Sequence, residues 1–225
     1  MKTFAELYDR AVERKGEAEL AGRLPSCKTP EELIETPDDR ILAAMTQTVF
    51  SAGFVWRVIQ NKWPGFEEAF GGFHPATVAG FGAEEIGQLM QDTRIVRNGQ
   101  KINAAIDNAE YVLETSNEHG GFGRFLAEWP LDDTVGLWSH LHKNGKRLGG
   151  DSGPRVLRRL GRDTFILTGD VTRSMIDQGI VTKKPTSKRD LAAAQEAFSA
   201  WSAESGRPFC EISVVIASTV ESSPH

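Results

Sequence analysis

Apolar residues recur at helical spacing along most of the chain, and the stretches they form are repeatedly opened by helix-start signals. Thr3 with Glu6 makes a capping box ahead of Phe4, Leu7, Tyr8 and Ala11, and this first helix is expected to stop near Gly16. Thr29-Pro30-Glu31-Glu32 and Thr36-Pro37-Asp38-Asp39 both show cap, proline and acidic first turn in helix-start order. The second opens a long apolar run, Ile41 to Phe50, closed by Ser51-Ala52-Gly53. A helix over Phe54 to Trp63, stopped by Pro64, and a short one through Phe70 are expected next, then short helices opened by His74-Pro75 and Ala83-Glu84-Glu85. Ile102, Ala105, Ile106, Ala109, Val112 and Leu113 mark a helix of several turns. Gly120-Gly121 separates it from a segment rich in aromatics, Phe122, Phe125, Trp129 and Trp138. Ser187 to Ala203 is predicted as a helix with Leu191, Ala194, Phe198 and Trp201 facing in, and Pro208 to Thr219 is a β-branched closing element. Phe165-Ile166-Leu167 and Ile212 to Ile216 have strand propensity, but two isolated candidates without hairpin partners make a poor sheet. The expected fold is therefore all-α, with a disordered tail over Glu221 to His225 and no internal repeat or clear linker.

Composition narrows the class. At 225 residues and 40% hydrophobic the chain can bury a real core as one or two lobes. No run approaches the roughly 20 apolar residues that span a bilayer, and the charged N-terminal segment is unlike a signal peptide, so a soluble cytoplasmic protein is expected. Cys27 and Cys210 make neither a disulfide framework nor a cysteine-rich zinc site, and reduced thiols are expected. His140 and His142 fall on different faces of a helix, which argues against a metal pair. No metal or cofactor is expected.

Charge is unevenly spread. From Lys143 to Arg189 there are twelve Lys and Arg against four Asp, whereas the whole chain carries a net charge of −5. An acidic protein with one basic segment is suited to placing a single face on a polyanion. Within that segment a glycine-rich turn, Gly149, Gly150 and Gly153, runs into Pro154, which suits the first position of a helix. The helix predicted from Pro154 carries Arg155, Arg158 and Arg159, with Arg162 just past it, over an inward face of Val156, Leu157 and Leu160, and Gly161 is its stop. Free N–H groups and the helix dipole at such a start favour a phosphate. This is how a helix-hairpin-helix grips DNA without reading bases; a solvated loop between packed helices is the plainer alternative.

Two stretches carry a family likeness. Asp38 to Lys101 and the continuation to Ala109, in particular Ala52-Gly53-Phe54-Val55-Trp56 and Ile95 to Ala109, resemble the bacterial 3-methyladenine DNA glycosylase I family. In that family a helix ends in an Ala-Gly-aromatic-x-Trp turn, and a later I-x-R-N-x-x-K-I-x-A-x-x-x-N-A helix follows. Gly149 to Val181 is similar to the hairpin of the wider helix-hairpin-helix glycosylase superfamily, and FCEISVVIAST resembles its closing helix. The likeness implies a two-lobed helical protein, with lobes roughly 1–35 plus 185–225 and 36–184. It also implies a monomer that binds double-stranded DNA, flips out one damaged purine and hydrolyses its N-glycosidic bond. Trp56 matches the stacking tryptophan, and Thr48, Gln47 and Phe50 complete the implied base pocket. Ala52 and Gly53 match the turn that enters the gap left by the flipped base. Gly150, Asp151, Ser152, Gly153, Arg155 and Arg158 would contact the DNA backbone.

The departures are specific. Aligned on the Ala52 to Trp56 turn, the family's pocket glutamate falls on Thr48, with Gln47 beside it. The zinc clasp of many members is absent. Thr168 stands where much of the superfamily has a catalytic aspartate, an acid the 3-methyladenine branch also lacks. Asp170 is the only acid nearby, either a catalytic group or a helix-start acid favoured by the dipole. Three readings follow: a diverged glycosylase for an alkylated base, with Thr48 and Gln47 supplying acceptors; a non-catalytic DNA-binding or damage-sensing protein; and an α/β enzyme whose Gly149 to Gly153 turn cradles a nucleotide. The last needs a strand before the turn, and LWSHLHKNGKR is a poor one.

Overall fold

Every regular element in the computed structural model is a helix, and no strand occurs among the described residues, 1–53 and 55–221. Phe54 and residues 222–225, which hold the aromatic of the Ala-Gly turn and most of the expected tail, lie outside them. In chain order the helices are α1 (Phe4–Lys15), α2 (Glu17–Arg23), α3 (Pro30–Ile34), α4 (Asp38–Ser51), α5 (Trp56–Ala69), α6 (Pro75–Ala79) and α7 (Ala83–Gln91). They continue with α8 (Gly99–His119), α9 (Phe122–Glu128), α10 (Thr134–Asn144), α11 (Ser152–Leu160), α12 (Gly169–Asp177), α13 (Lys188–Ser205) and α14 (Phe209–Ser218). No helix among the described residues is long and apolar enough to cross a membrane.

The chain divides into two compact units. One consists of Met1–Cys27, Pro130–Leu137 and Gly161–His225, and the other of Lys28–Trp129 and Trp138–Leu160. In the first unit α1 and α13 pack on α14. Phe165 and Phe198 stack with centroids 4.2 Å apart, and Phe209 meets both edge-on. Phe165-Ile166-Leu167, the stretch with strand propensity, is buried there without a ladder: the Ile166 N–H donates to the Ser213 hydroxyl at 3.2 Å. Ile212 to Ile216 lies inside α14, because a fully buried element enclosed by packing overrides a weak β preference. Chain ends are tied within this unit as well, Trp201 Nε1 donating to the Lys2 carbonyl at 3.0 Å and the Phe4 N–H to Glu204 at 2.9 Å.

In the second unit α8 packs against α4 and α6, while α9 packs on α3. The capping boxes at Thr3 and Thr29 form as expected, and Gly120 ends α8 in the left-handed conformation. Three expectations change. Thr36 does not cap α4; its hydroxyl donates back to the Glu32 carbonyl at 3.0 Å and accepts from Lys28, and Pro37 takes the cap position. Pro64 does not stop a helix, since α5 runs through it to Ala69. Pro64 and Gln60, the residue whose carbonyl loses a partner, are both exposed, so water replaces the missing bond. The stacked row Trp63, Phe66, Phe70 and Phe73 holds the two halves in register. Finally, α11 begins at Ser152, two residues before Pro154.

Two tests follow from the packing of the second unit. A Cβ on Gly123 would lie 2.2 Å from the Leu33 carbonyl oxygen, so α9 can approach α3 only at a glycine. Gly123→Ala is expected to lower the unfolding free energy by about 3 kcal/mol in urea titrations. His140 packs among Phe125, Trp129 and Tyr111, and burial, helped by His119 and Lys143 and opposed by Glu118, lowers its pKa from 6.5. The folded protein then favours neutral imidazole. Its contribution to stability is full above the unfolded pKa and is lost as pH falls below it. Between pH 7 and 5 the urea midpoint should fall more steeply for wild type than for His140→Phe.

Candidate base pocket and nucleic-acid interface

The second unit ties the end of α4 and the hairpin between α10 and α11 to α8. Along α8 the row Lys101, Ala105, Asn108 and Val112 points inward, and two of its four members are polar. Lys101 is only 6% exposed. Its ammonium donates to the Phe50 carbonyl at 3.1 Å and the Ala52 carbonyl at 2.7 Å, and sits 5.9 Å from the Phe50 ring centroid. A helix end leaves carbonyls without intrahelical partners and carries the negative end of the dipole, so a cation there satisfies both. Burial, and secondarily Arg147, pushes the Lys101 pKa below the usual lysine value.

Asn108, wholly buried, holds the hairpin from the same helix. Its amide nitrogen donates to the Lys146 carbonyl at 3.1 Å, and its amide oxygen accepts from the Lys146 N–H at 2.7 Å. Gln100 accepts from the guanidinium of Arg147, a residue held at a left-handed φ of 59°. Asn98 caps α8 itself, accepting from the Lys101 N–H at 3.1 Å. Asn98, Gln100, Lys101 and Asn108 thus fix the α4 turn and the hairpin through one element. Lys101 and Asn108 occupy fixed positions of the Ile95 to Ala109 family pattern, but no role was read for them from the sequence; a second signal was a pair of polar residues on the apolar row of a helix, which buried positions accept only when hydrogen-bonded.

Between the turn and the hairpin lies a cleft of about 520 Å³. Lys101, Lys143, Lys146, Arg147 and His142 line it, together with Val49, Ala52, Gly149 and Ser152, and among the described residues no carboxylate does. Gly150 is exposed at φ 59°, as a turn presenting its backbone requires. The Ser152 N–H is spent on the Gly149 carbonyl at 3.2 Å, and Gly153 is buried where a Cβ would meet the Leu148 carbonyl at 2.9 Å. Asp151 accepts the Arg155 N–H through its carbonyl at 3.1 Å, opening α11. Arg155 is exposed, Arg158 is half-buried, and Arg159 donates to the Gln47 amide oxygen at 2.5 Å, joining α11 to α4. Arg162 belongs to the first unit and is buried, its guanidinium on the Asp163 carbonyl, so it adds nothing to an exposed basic face.

The expected pocket residues separate in the same way. Trp56 opens α5 and is 58% exposed, flanked by Val55 at 68% and Val58 at 42%, which excludes a core role. Ala52 and Gly53 are exposed, Gly53 at φ 74°. Phe50 is not available to a ligand: it is fully buried, edge-on to Phe66 at 4.7 Å. Thr48 is 4% exposed, and its hydroxyl donates to the Ala44 carbonyl at 2.8 Å. Because Gln47 already accepts from Arg159, neither residue presents an unengaged side chain where a carboxylate was expected. In the first unit Asp170 occupies the first turn of α12, whose cap is Thr168, accepting from the Val171 N–H at 3.2 Å. This is the position that the helix dipole assigns to an acid. One group of potential metal ligands converges among the described residues, Cys27, Asp163 and Cys210, also in the first unit.

Comparison with known proteins bears on the family and the fold. A profile of the methyladenine glycosylase family matches residues 34–147. DNA-3-methyladenine glycosylase 1 of Escherichia coli (strain K12) is 28% identical over 92 residues, 41% of this chain and 49% of the relative, so the chain matches about half that relative's length. A structure of 3-methyladenine DNA glycosylase I from Staphylococcus aureus superposes with a TM-score of 0.51 at 21% identity, covering 68% of this chain and 91% of the other. The 8-oxoguanine DNA glycosylase of Thermotoga maritima superposes with a TM-score of 0.53 at 17% identity over 95% of both chains. The helical fold is therefore that of DNA glycosylases.

Lys101→Met keeps most of the side-chain volume and removes both hydrogen bonds to the end of α4. It is expected to cost about 2 kcal/mol in urea unfolding, since two largely desolvated carbonyls lose their donor. A loss under about 0.5 kcal/mol would mean that the cap does not hold the turn.

Proposed function

The chain belongs to the methyladenine glycosylase family, and on that premise we propose that it is a base-excision glycosylase, acting as a monomer on duplex DNA to remove an alkylated purine such as 3-methyladenine. The observation that carries this reading is the pairing, in one unit, of an exposed tryptophan just past a lysine-capped turn with a basic hairpin cleft. The related enzyme from Staphylococcus aureus is described in terms of 3-methyladenine recognition, which supports the choice of base.

The proposed sequence of events follows from the residues. Lys143, Lys146 and Arg147 draw the phosphodiester backbone to the hairpin, with Gly150 letting the chain approach closely and Arg155 adding charge on α11. Ala52 and Gly53, held by Lys101, enter the space vacated by the extruded nucleotide. Trp56 stacks on the flipped base, and a cationic ring gains more from an aromatic face than a neutral one does. An N3-methylated adenine is already cationic and departs as a neutral molecule, so its leaving needs no proton from the protein. Water then adds to the sugar carbon, and the water's proton passes to solvent. Asp170 is not required as a general acid on this account, in keeping with its place at the start of α12.

A non-catalytic DNA-binding role is the second reading, favoured by one observation: Gln47 and Thr48 are engaged within the protein. Release of free bases from methylated duplex DNA separates the two. Wild type should release 3-methyladenine, and Trp56→Ala should cut the rate roughly tenfold to hundredfold, the worth of one base–aromatic stack. Arg155→Ala should weaken DNA binding and reduce the salt slope by about one unit. Absence of any release, together with salt-sensitive binding that Arg155→Ala alone weakens, would establish the second reading.

A further inference from the structure

Cys27 and Cys210 are 183 positions apart in sequence, yet their sulfurs lie 2.7 Å apart. Non-bonded sulfurs do not normally sit so close, and a disulfide bond is about 2.05 Å. Both belong to the unit built from three separate pieces of chain, and Cys27 is the residue at which the first piece ends. Cys210 lies in the first turn of α14 and is fully buried, whereas Cys27 is only half-buried. We propose that Cys27 and Cys210 form a reversible disulfide that staples the N-terminal segment of the chain to its last helix.

The surroundings favour a disulfide over a metal. Asp163 is the third group near the thiols, but both of its oxygens are committed to the start of α14, accepting the Phe209 N–H at 2.9 Å and the Cys210 N–H at 2.8 Å. Structural zinc takes four ligands. Among the described residues the potential ligands grouped with the two sulfurs are this capping carboxylate and no further side chain, and the Pro25 carbonyl lies 3.6 Å from the Cys210 sulfur. The hydrogen bond that the Cys27 thiol shares with Cys210, together with burial and Asp163, pushes that thiol up, so the reduced pair is slow to react at neutral pH. Closure therefore needs an oxidant of the low-molecular-weight disulfide class. The Cys27 thiolate attacks that disulfide and expels one thiolate. The Cys210 thiolate then attacks the Cys27 sulfur and expels the second. Two thiol protons leave to solvent, and two electrons pass to the small molecule.

Incubation of the full-length protein with excess oxidised glutathione, followed by intact-mass analysis and thiol titration in denaturant, tests the proposal. The expected product has lost two hydrogens, retains no glutathione and titrates no thiol. Its melting temperature should exceed that of the reduced protein by roughly 5–10 °C, and reductant should reverse the shift. Cys210→Ser should instead retain one glutathione, on Cys27, because the resolving thiol is gone. Wild type that keeps both thiols, or ends with a stable glutathione adduct, would overturn the proposal. So would stoichiometric zinc released on denaturing the protein as purified, which would assign the pair to a metal.

Discussion

The geometry of the candidate site rests on a buried ammonium. Lys101 reaches the last carbonyls of α4 from inside α8, at a position where the neighbouring rows are aliphatic. Desolvating a lysine is costly, and it is tolerated here because the helix end supplies both acceptors and a favourable dipole. The consequence is a turn, Ala52 and Gly53, that remains exposed without being loose. The role proposed for this turn, entering a base stack, would need such an anchor, since an unanchored loop would lose ordering entropy each time it was used. Asn108 does the same for the hairpin through two hydrogen bonds to Lys146.

With both loops pinned to one helix, the charge pattern gains a geometry. The chain is acidic overall, yet the cleft between the pinned loops is lined by four Lys and Arg side chains and, among the described residues, by no acid. Concentrating cations in a concave surface on an acidic protein raises the local attraction for a polyanion while leaving the rest of the surface repulsive. Arg159 extends the positive character to α4 through Gln47, at the corner where a resemblance to glycosylases implies a carboxylate.

The other unit is held by different means. Stacked aromatics, Phe165 on Phe198 with Phe209 at the edge, fill its interior, and hydrogen bonds tie Lys2 and Phe4 to α13. The cysteine pair lies between the first and last of its chain segments, so covalent closure would add to contacts that already join them.

Most helices were legible in the sequence because their signals are local. Capping boxes at Thr3 and Thr29, the Ser187 cap and the glycine stops at Gly16, Gly120 and Gly161 act within one turn of themselves. The family likeness, the Trp56 turn and the basic hairpin were legible for the same reason, each being a short contiguous pattern. What tertiary structure decided was every property that depends on residues far apart in the chain. Pro64 continues a helix because a row of aromatics brackets it, and Phe165 to Leu167 forgoes a strand because α13 and α14 cover it. Phe50 and Thr48 turn inward, Gly153 packs against its own hairpin, and Gln47 is taken up by Arg159. Lys101 acquires its role from carbonyls some fifty positions away, and Cys27 meets Cys210 across nearly the whole chain. Local propensity carries no information about such partners, because burial and hydrogen-bond satisfaction are fixed only when the helices pack.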